Sequence, residues 1–259
     1  MDESPPVDSK PNINYLKVWD AVLFVIISGI LNIIISLLVF ALLALYNFLF
    51  NHVSMDNIMD LFKKSILNGY VIVLTNGIYY ILIFIIILGF LTYRHLNFKE
   101  TLALKPLSEY HPRFLLLLTL LLLCFGFTVS YIFREWMRNS AMLEILTSGQ
   151  GILAFCLFMS LITPIVEETI FRGFIFNPLE RKWGACTAGI VVTILFVSIH
   201  VPQLIGALPA LLPITLLGII TAYLRAVRKS IFPGCVVHTI YNSVLMSIVL
   251  INHYFLHYT

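Results

Sequence analysis

Seven blocks of nearly unbroken apolar residues alternate with short polar stretches along the chain. The blocks cover about 18–49, 70–93, 114–133, 150–166, 185–200, 203–224 and 231–256. A transmembrane helix needs about 20 consecutive apolar residues, and most of the blocks reach that length. Barrel strands would instead alternate apolar and polar positions. The pattern predicts an all-α, polytopic membrane helical bundle with seven transmembrane helices, or eight if a short helix forms around 168–180.

The composition agrees with this class and bounds the domain organisation. Of the 259 residues, 60% are hydrophobic and 11% are charged, and the mean hydropathy is +0.97. A soluble domain of this size could not keep so much apolar surface from water. We expect one membrane domain, with a disordered polar tail over 1–17, a first group of transmembrane helices over 18–149 and a second group over 150–259.

The basic residues are distributed unevenly between the polar stretches. With seven spans, twelve Lys and Arg residues fall on the side of the N-terminus, in the tail and in predicted loops over 94–113, 172–182 and 225–229. Four fall on the other side. Cytoplasmic loops of membrane proteins are enriched in Lys and Arg, so the N-terminus is predicted to be cytoplasmic. The short loops favour a multi-pass protein of a prokaryotic plasma membrane, with the lipid bilayer as a partner and no nucleic acid.

The stretch PIVEETIFRG at 164–173 places three charges beside an apolar block. Glu168 and Arg172 are four residues apart, with the acid first, so they can pair on one helix face. Glu167 is rotated by about 100° from Glu168 and has no local partner. An unpaired ionisable side chain inside a membrane segment is a functional candidate. The alternative is that all three charges merely end the span at the cytoplasmic interface.

Two further polar intrusions lie in the apolar blocks nearer the C-terminus. His200 ends ILFVSIH, four residues after Phe196, and taken alone it is typical of an interfacial residue. His238 and Asn242, in VVHTIYNSV, are four residues apart and can face one cavity. Taken alone, they are typical of side chains that hydrogen-bond to neighbouring membrane helices.

Together these side chains form a set that can hydrolyse an amide bond. A carboxylate and an imidazole can activate water by removing its proton. A second His and an Asn can donate hydrogen bonds to the oxyanion that develops. Two Glu and two His could instead bind zinc, although the chain has no HExxH motif and the ligands would come from three helices. A serine nucleophile is less favoured because no GxSxG motif is present.

Three motifs in this region resemble those of the CPBP intramembrane proteases, which include CAAX proteases and bacteriocin-processing enzymes and are also called the abortive-infection family. Residues 167–172 (EETIFR) fit EExxxR, residues 196–200 (FVSIH) fit FxxxH and residues 238–242 (HTIYN) fit HxxxN. The resemblance covers about 160–245. It implies a helical bundle around a cavity open to the cytoplasmic side and the lipid, with 150–259 as the catalytic core.

The resemblance also implies an activity and residue roles. The implied enzyme is a metal-independent glutamic endopeptidase without a cofactor, acting on prenylated CAAX or bacteriocin-like peptides at the membrane. By the resemblance, Glu167 and His200 would activate the water. His238 and Asn242 would form the oxyanion hole, and Glu168 and Arg172 would support the site.

Other functions remain open at the level of sequence. The chain could be a non-catalytic bacteriocin self-immunity protein or partner-binding membrane protein that keeps the motifs for stability. It could also be a transporter or proton relay, because intramembrane Glu and His suit proton transfer. The inverted repeats typical of transporters are not found in the sequence. The complete motif set favours the endopeptidase.

A simple arrangement of seven straight spans conflicts with a shared site. In it, Glu167 and His238 lie near the cytoplasmic side, whereas His200 lies toward the far end of its span. A re-entrant or strongly tilted helix would resolve the conflict, and prolines around these segments could break helices there. We expect the side chains of Glu167, His200 and His238 to converge on one cavity, and wide separation would contradict catalysis.

Overall fold

The described part of the chain consists of helices and turns. The computed structural model describes residues 14–51, 57–106, 112–137 and 150–256. Most of the predicted disordered tail, residues 1–13, lies outside the described residues. The helices, numbered along the chain, are α1 (Val18–Phe50), α2 (Ile58–Ile66), α3 (Gly69–Tyr93), α4 (Phe98–Thr101), α5 (Pro112–Ile132), α6 (Arg134–Met137), α7 (Ile152–His200), α8 (Leu211–Arg228) and α9 (Phe232–Ile251).

Polar residues at the edges of the apolar blocks mark where two of the long helices begin. Asn68 accepts hydrogen bonds from the backbone N–H groups of Tyr70 and Val71, which caps α3. At the start of α1, the carboxylate of Asp20 accepts a hydrogen bond of 2.8 Å from the backbone N–H of Lys17. These bonds satisfy N–H groups that have no partner inside the helix.

Helix α7 folds back on itself at Gly184. The backbone there has φ 81° and ψ 165°, a conformation that a residue with a side chain adopts only with strain. The rings of Phe171, before the turn, and Phe196, after it, are 5.4 Å apart. A straight helix would separate the two residues by roughly 37 Å. Helix α7 therefore has two antiparallel arms, which we call the first arm (152–183) and the second arm (185–200).

Two stretches predicted to be loops are helical. The first arm continues through 172–182, and α8 reaches Arg228, so most of 225–229 is also helical. The separate short helix considered around 168–180 is part of the first arm. Glu168 and Arg172 are buried and paired inside the bundle, so the helix does not have to end where the charges begin.

Six helices in the described ranges are long and apolar enough to cross a membrane, rather than the seven or eight predicted. They are α1, α3, α5, α7, α8 and α9. The difference lies in α7, whose 49 residues contain two of the predicted apolar blocks and the helical stretch that joins them. The predicted class, an all-α polytopic membrane protein, is confirmed.

Several helix ends rich in Lys and Arg lie together. Arg94, after α3, pairs with Asp20 at the start of α1, with 2.6 Å between Nη2 and Oδ1. Glu180, close to the Gly184 turn, pairs with Lys229 after α8. We call this the basic end of the bundle, defined by the start of α1, the end of α3, the Gly184 turn and the end of α8.

The largest apolar core holds the first arm in place. Phe174 is fully buried, and its ring lies 4.6 Å from that of Phe24 on α1 and 5.8 Å from that of Phe90 on α3. The backbone of Gly173 lies against Leu102, so that a Cβ added to the glycine would lie 3.3 Å from the Leu102 carbonyl oxygen. This packing fixes the charged residues that the first arm carries.

Candidate active site

Glu167 and His200 occupy corresponding positions on the two arms of α7. Seventeen residues separate Glu167 from Gly184, and sixteen separate Gly184 from His200. The fold-back therefore brings both to a similar depth, which removes the conflict that straight spans create. Both side chains line a cavity of about 270 Å³, and His238 and Asn242 of α9 line it as well. The predicted convergence of Glu167, His200 and His238 is confirmed.

The cavity walls come from several helices and are largely apolar. Gly126 of α5, Met159 of the first arm, Phe196 of the second arm, Pro213 of α8 and Tyr241 of α9 contribute to them. A mostly apolar pocket with a few convergent polar groups is typical of a ligand or substrate site. Of the polar groups, Glu167 and His200 belong to the two arms, and His238 and Asn242 belong to α9.

Glu168 and Arg172 form a fully buried ion pair behind the cavity. Arg172 Nη1 lies 3.2 Å from Glu168 Oε1, and neither side chain has exposed surface. Arg172 Nη2 donates a hydrogen bond of 3.0 Å to the carbonyl of Gly218 on α8, and its guanidinium lies 4.6 Å from the centre of the Phe196 ring. The predicted pairing is confirmed. It compensates two charges whose burial alone would be costly.

The two adjacent glutamates differ in exposure and both face His238. The side chain of Glu167 is 11% exposed and that of Glu168 is 0% exposed. His238 Nδ1 lies 3.1 Å from Glu168 Oε1, and its Nε2 lies 3.7 Å from Glu167 Oε2. Glu167 therefore has no partner on its own helix, as predicted, but α9 brings one. A carboxylate only accepts hydrogen bonds, so His238 Nδ1 carries a proton.

A backbone hydrogen bond sets the orientation of His200. Its Nδ1 lies 2.7 Å from the carbonyl oxygen of Phe196, and the two rings are 4.7 Å apart. A carbonyl can only accept, so Nδ1 is the donor and Nε2 of the neutral ring is left as an acceptor. His200 thus presents one nitrogen that can take a proton.

Asn242 links α9 to the first arm. Its Nδ2 donates a hydrogen bond of 3.0 Å to the carbonyl of Met159, which lies in the π-helical turn Phe158–Ile162. Such turns disturb the regular backbone hydrogen bonding of a helix and are frequent at functional sites. An amide nitrogen carries two N–H groups, so one holds the first arm and the second can serve a group in the cavity.

Arg225, one of the basic residues of the predicted 225–229 loop, is instead a buried support of the site. Its Nε donates a hydrogen bond of 2.9 Å to the carbonyl of Arg172, within the π-helical turn Thr169–Ile175. Its guanidinium lies 5.0 Å from the Phe176 ring centre, and Nη1 lies 3.6 Å from Glu180 Oε2. The sequence gives no signal for this role, because Arg225 stands among other basic residues near a helix end.

Two glycines permit the helices around the ion pair to approach closely. A Cβ added to Gly234 of α9 would lie 2.9 Å from Glu168 Oε2. A Cβ added to Gly218 of α8 would lie 3.0 Å from the side chain of Thr193. Neither glycine stands out in the sequence, since an isolated glycine in a helical pattern carries no specific meaning.

A metal site finds little support in the arrangement of the donors. Among the side chains in the described ranges, no group of three or more His, Cys, Asp and Glu residues is placed to hold a metal ion. Glu168 Oε1 is already engaged by Arg172 and His238. The donors therefore do not fit a zinc centre with three protein ligands.

Comparisons with known proteins point to a membrane peptidase. Residues 149–244 match the family described as "Type II CAAX prenyl endopeptidase Rce1-like". A Bacillus subtilis (strain 168) protein named "Putative membrane peptidase YdiL" is 30% identical over 110 residues, which are 42% of this chain and 42% of that protein. The match thus spans less than half of this relative. No solved structure matches the chain.

The family match covers the region that forms most of the cavity. It begins just before α7 and ends within α9, so both arms, α8 and the polar part of α9 lie inside it. The six residues singled out in the sequence all fall within the match: Glu167, Glu168, Arg172, His200, His238 and Asn242. Over residues 149–244, the chain is similar to the family of Rce1-like type II CAAX prenyl endopeptidases, and over 110 residues it is similar to a protein named as a membrane peptidase.

Proposed function

We propose that the chain is an intramembrane endopeptidase that hydrolyses a peptide bond in a membrane-associated peptide, using water activated by Glu167 and His200. The observation that carries the proposal is the convergence of these two residues with His238 and Asn242, from three helical segments, on one cavity. Charges that only stabilise a fold are expected to be fully paired, as the neighbouring ion pair is. Glu167 and His200 instead keep acceptor atoms at a cavity.

Glu167 is assigned the role of general base, with help from His200. Glu167 is the more accessible of the two adjacent carboxylates, and Nε2 of His200 can accept a proton. The water loses a proton to this pair as its oxygen attacks the carbonyl carbon of the scissile bond. When the C–N bond breaks, the same proton passes to the leaving nitrogen, which yields a carboxyl group and an amine.

His238 and Asn242 are assigned to the oxyanion of the tetrahedral intermediate. Asn242 uses one N–H for a backbone carbonyl and has a second for the oxyanion. His238 already donates through Nδ1 to Glu168, so donation from Nε2 requires the doubly protonated ring. Both Glu167 and Glu168 face this ring, and the neighbouring arginine balances only one of them. A protonated His238 makes the buried cluster neutral.

The proposed topology has seven crossings with a cytoplasmic N-terminus in a plasma membrane. Each arm of α7 counts as one crossing, and the basic end faces the cytoplasm by the positive-inside rule. The second arm has sixteen residues, fewer than the about 20 that a full span needs. It ends at the cavity, roughly 24 Å along the helix axis from the Gly184 turn. With the basic end in the cytoplasm, we propose that the cavity lies deep in the membrane, rather than near the cytoplasmic side that the resemblance implies.

The proposed substrate is a lipidated or otherwise membrane-associated peptide. The family description favours a prenylated CAAX tail, and the apolar walls of the cavity suit a peptide that carries an apolar group. A bacteriocin-like leader peptide is the alternative substrate. A non-catalytic immunity or partner-binding role is less favoured, because it does not require a complete set of water-activating and oxyanion groups around a cavity.

The test is peptide cleavage by the purified protein reconstituted in lipid. The panel holds a prenylated CAAX peptide, its unprenylated form and double-glycine leader peptides. The variants are wild type, Glu167→Gln and, as a matched control, Glu100→Gln, which changes an exposed glutamate on α4. We expect the wild type and the control to cleave one class of peptide in the presence of a chelator, and Glu167→Gln to be inactive.

Each other outcome changes the proposal in a defined way. Normal cleavage by Glu167→Gln removes this residue as the base. Cleavage that is lost on chelation and restored by zinc replaces the glutamate mechanism with a metal-dependent one. Failure of the wild type to cleave any peptide in the panel favours the non-catalytic role, and partners that co-purify with the protein would then be identified.

A further inference from the structure

A second cavity, of about 490 Å³, lies at the basic end of the bundle. It is formed by the start of α1 and by the last residues of the first arm before Gly184. The residues that matter for its chemistry are Lys17, Arg181, Lys182, Tyr15, Trp19 and Pro178. The catalytic cavity and this one share no lining residue.

Within the part of the chain that the structure describes, three cations of this cavity lack an acidic partner. In the described ranges, no carboxylate lies within ion-pair distance of Lys17, Arg181 or Lys182. Lys229, at the same end of the bundle, differs because it pairs with Glu180. Three unneutralised positive charges around one concave space create an attractive site for a multiply charged anion.

Aromatic residues place the cavity at the level of lipid headgroups. The guanidinium of Arg181 lies 5.1 Å from the centre of the Tyr15 ring, and Lys182 Nζ lies 5.1 Å from that of Trp183. Trp19 is 76% exposed. Trp and Tyr are enriched where a membrane meets water, with the apolar ring toward the acyl chains and the polar edge toward the headgroups.

We propose that this cavity binds the phosphate-containing headgroup of an anionic phospholipid. The fork of Arg181 can hold two phosphate oxygens, and Lys17 and Lys182 can each add a charge-assisted hydrogen bond. Anionic lipids attract basic clusters at the cytoplasmic surface, which is where the positive-inside rule puts this end. The acyl chains would lie along the exposed apolar face of α1, which includes Leu23 and Ile26.

A lipid bound there would tie α1 to the first arm of α7. The cavity is built from both elements, and the same two elements meet again at the Phe24–Phe174 ring contact. Because the first arm carries Glu167, a bound lipid supports the packing of the catalytic region without touching it. We therefore expect anionic lipid to stabilise the folded protein, whether or not a peptide substrate is present.

The test measures lipid binding by native mass spectrometry and thermal unfolding in neutral detergent. Wild type is compared with the triple variant Lys17→Gln/Arg181→Gln/Lys182→Gln. A control triple variant, Lys63→Gln/Lys64→Gln/Lys99→Gln, removes the same charge from exposed positions outside the cavity. Phosphatidylglycerol, phosphatidylcholine and inorganic phosphate are titrated separately. The catalytic residues stay intact in all of these proteins.

We expect wild type and the control to bind phosphatidylglycerol and to be stabilised by it, with little response to phosphatidylcholine. The cavity variant should lose on the order of 100-fold in affinity, given the effect of each basic residue near an anionic surface. Equal losses in the two triple variants would overturn the proposal in favour of non-specific attraction. Equal stabilisation by phosphatidylcholine would overturn it as well.

Two further measurements distinguish the remaining explanations. Inorganic phosphate that stabilises the protein as well as phosphatidylglycerol does, and displaces it, would identify a free-anion site instead of a lipid site. If the triple variant does not fold, Arg181→Gln alone is tested. On the same basis, it should weaken binding by roughly fivefold, and unchanged binding would overturn the proposal.

Discussion

Helix α1 and the first arm of α7 show opposite relations between polarity and burial. Only five of the 33 residues of α1 are buried, and one of those is Asp20. Along 163–176, every residue except Ile165 is buried, although two glutamates and an arginine lie there. In water, charged residues would lie outside. In a membrane, apolar side chains can face lipid, whereas charged side chains are costly there and lie inside the bundle. Burial in this protein therefore marks the region with the charged residues of the proposed site.

The largest effect on activity is expected from substitution of Glu167, one of the two adjacent glutamates in the first arm of α7. Glu167→Gln should lower cleavage by about 10²- to 10⁴-fold, the usual contribution of a general base, and leave the protein folded. Glu168→Gln should lower both activity and thermal stability, because Arg172 and His238 lose a charged partner. Rates and melting temperatures of the two variants are measured side by side. Identical profiles for both would contradict the division of roles.

The next largest effect tests whether Glu168 and Arg172 stabilise the fold mainly because each neutralises the other's buried charge. Arg172→Met strands the Glu168 carboxylate in a fully buried position and should cost about 3–5 kcal/mol in the free energy of unfolding. The double variant Glu168→Gln/Arg172→Met serves as control and should recover part of that loss. Chemical unfolding in lipid–detergent mixtures measures both. A double variant less stable than the single one would show that the charges themselves stabilise the fold.

A smaller effect compares two cations that share one acidic partner. Arg225→Met removes a hydrogen bond to the Arg172 carbonyl and should cost about 1.5–3 kcal/mol, as expected for a bond from a charged donor. Lys229→Met removes a 54% exposed partner of Glu180 and should cost less than about 1 kcal/mol. The same unfolding measurement applies. Equal losses would mean that Arg225 acts only through its pairing with Glu180.

The smallest effect is expected on the lipid-facing side of α1. Leu37 is 61% exposed, so Leu37→Ala should change the free energy of unfolding by less than about 0.5 kcal/mol. Phe24→Ala, on the same helix, should cost more because it leaves a cavity against Phe174. Thermal unfolding of both variants measures the two losses in stability. Similar losses would show that α1 makes contacts along its outer face in the membrane.

Much of the architecture follows from the sequence, because each apolar block contains a long stretch of helix. The four-residue spacing of Glu168 and Arg172 also predicted their ion pair. The fold-back of α7 could not be predicted with its position, since Gly184 is a single glycine in a polar stretch and such glycines have several meanings. The continuation of the helix through 172–182 does not follow from the apolar pattern, because the apolar block ends at about 166 and charged residues follow it.

In the candidate site, too, some residues could be predicted from the sequence and others could not. The four polar residues of the proposed site stand out in the sequence because each lies in or beside an apolar block, and the helical spacing of His238 and Asn242 puts both on one face. The support around them depends on contacts between distant segments. Arg225 reaches a carbonyl 53 residues away in the chain, and Gly234 matters only because Glu168 lies against it. No local pattern encodes such contacts.

The turn at Gly184 also determines where the chain can change in length. Glu167 and His200 meet because nearly equal lengths of helix lead from the turn to each of them, 17 positions in the first arm and 16 in the second. One residue inserted between Glu167 and Gly184 would rotate one side of the site against the other by about 100° and shift it by about 1.5 Å. Insertions and deletions are therefore tolerated least between residues 167 and 200, and a change in one arm calls for a matching change in the other.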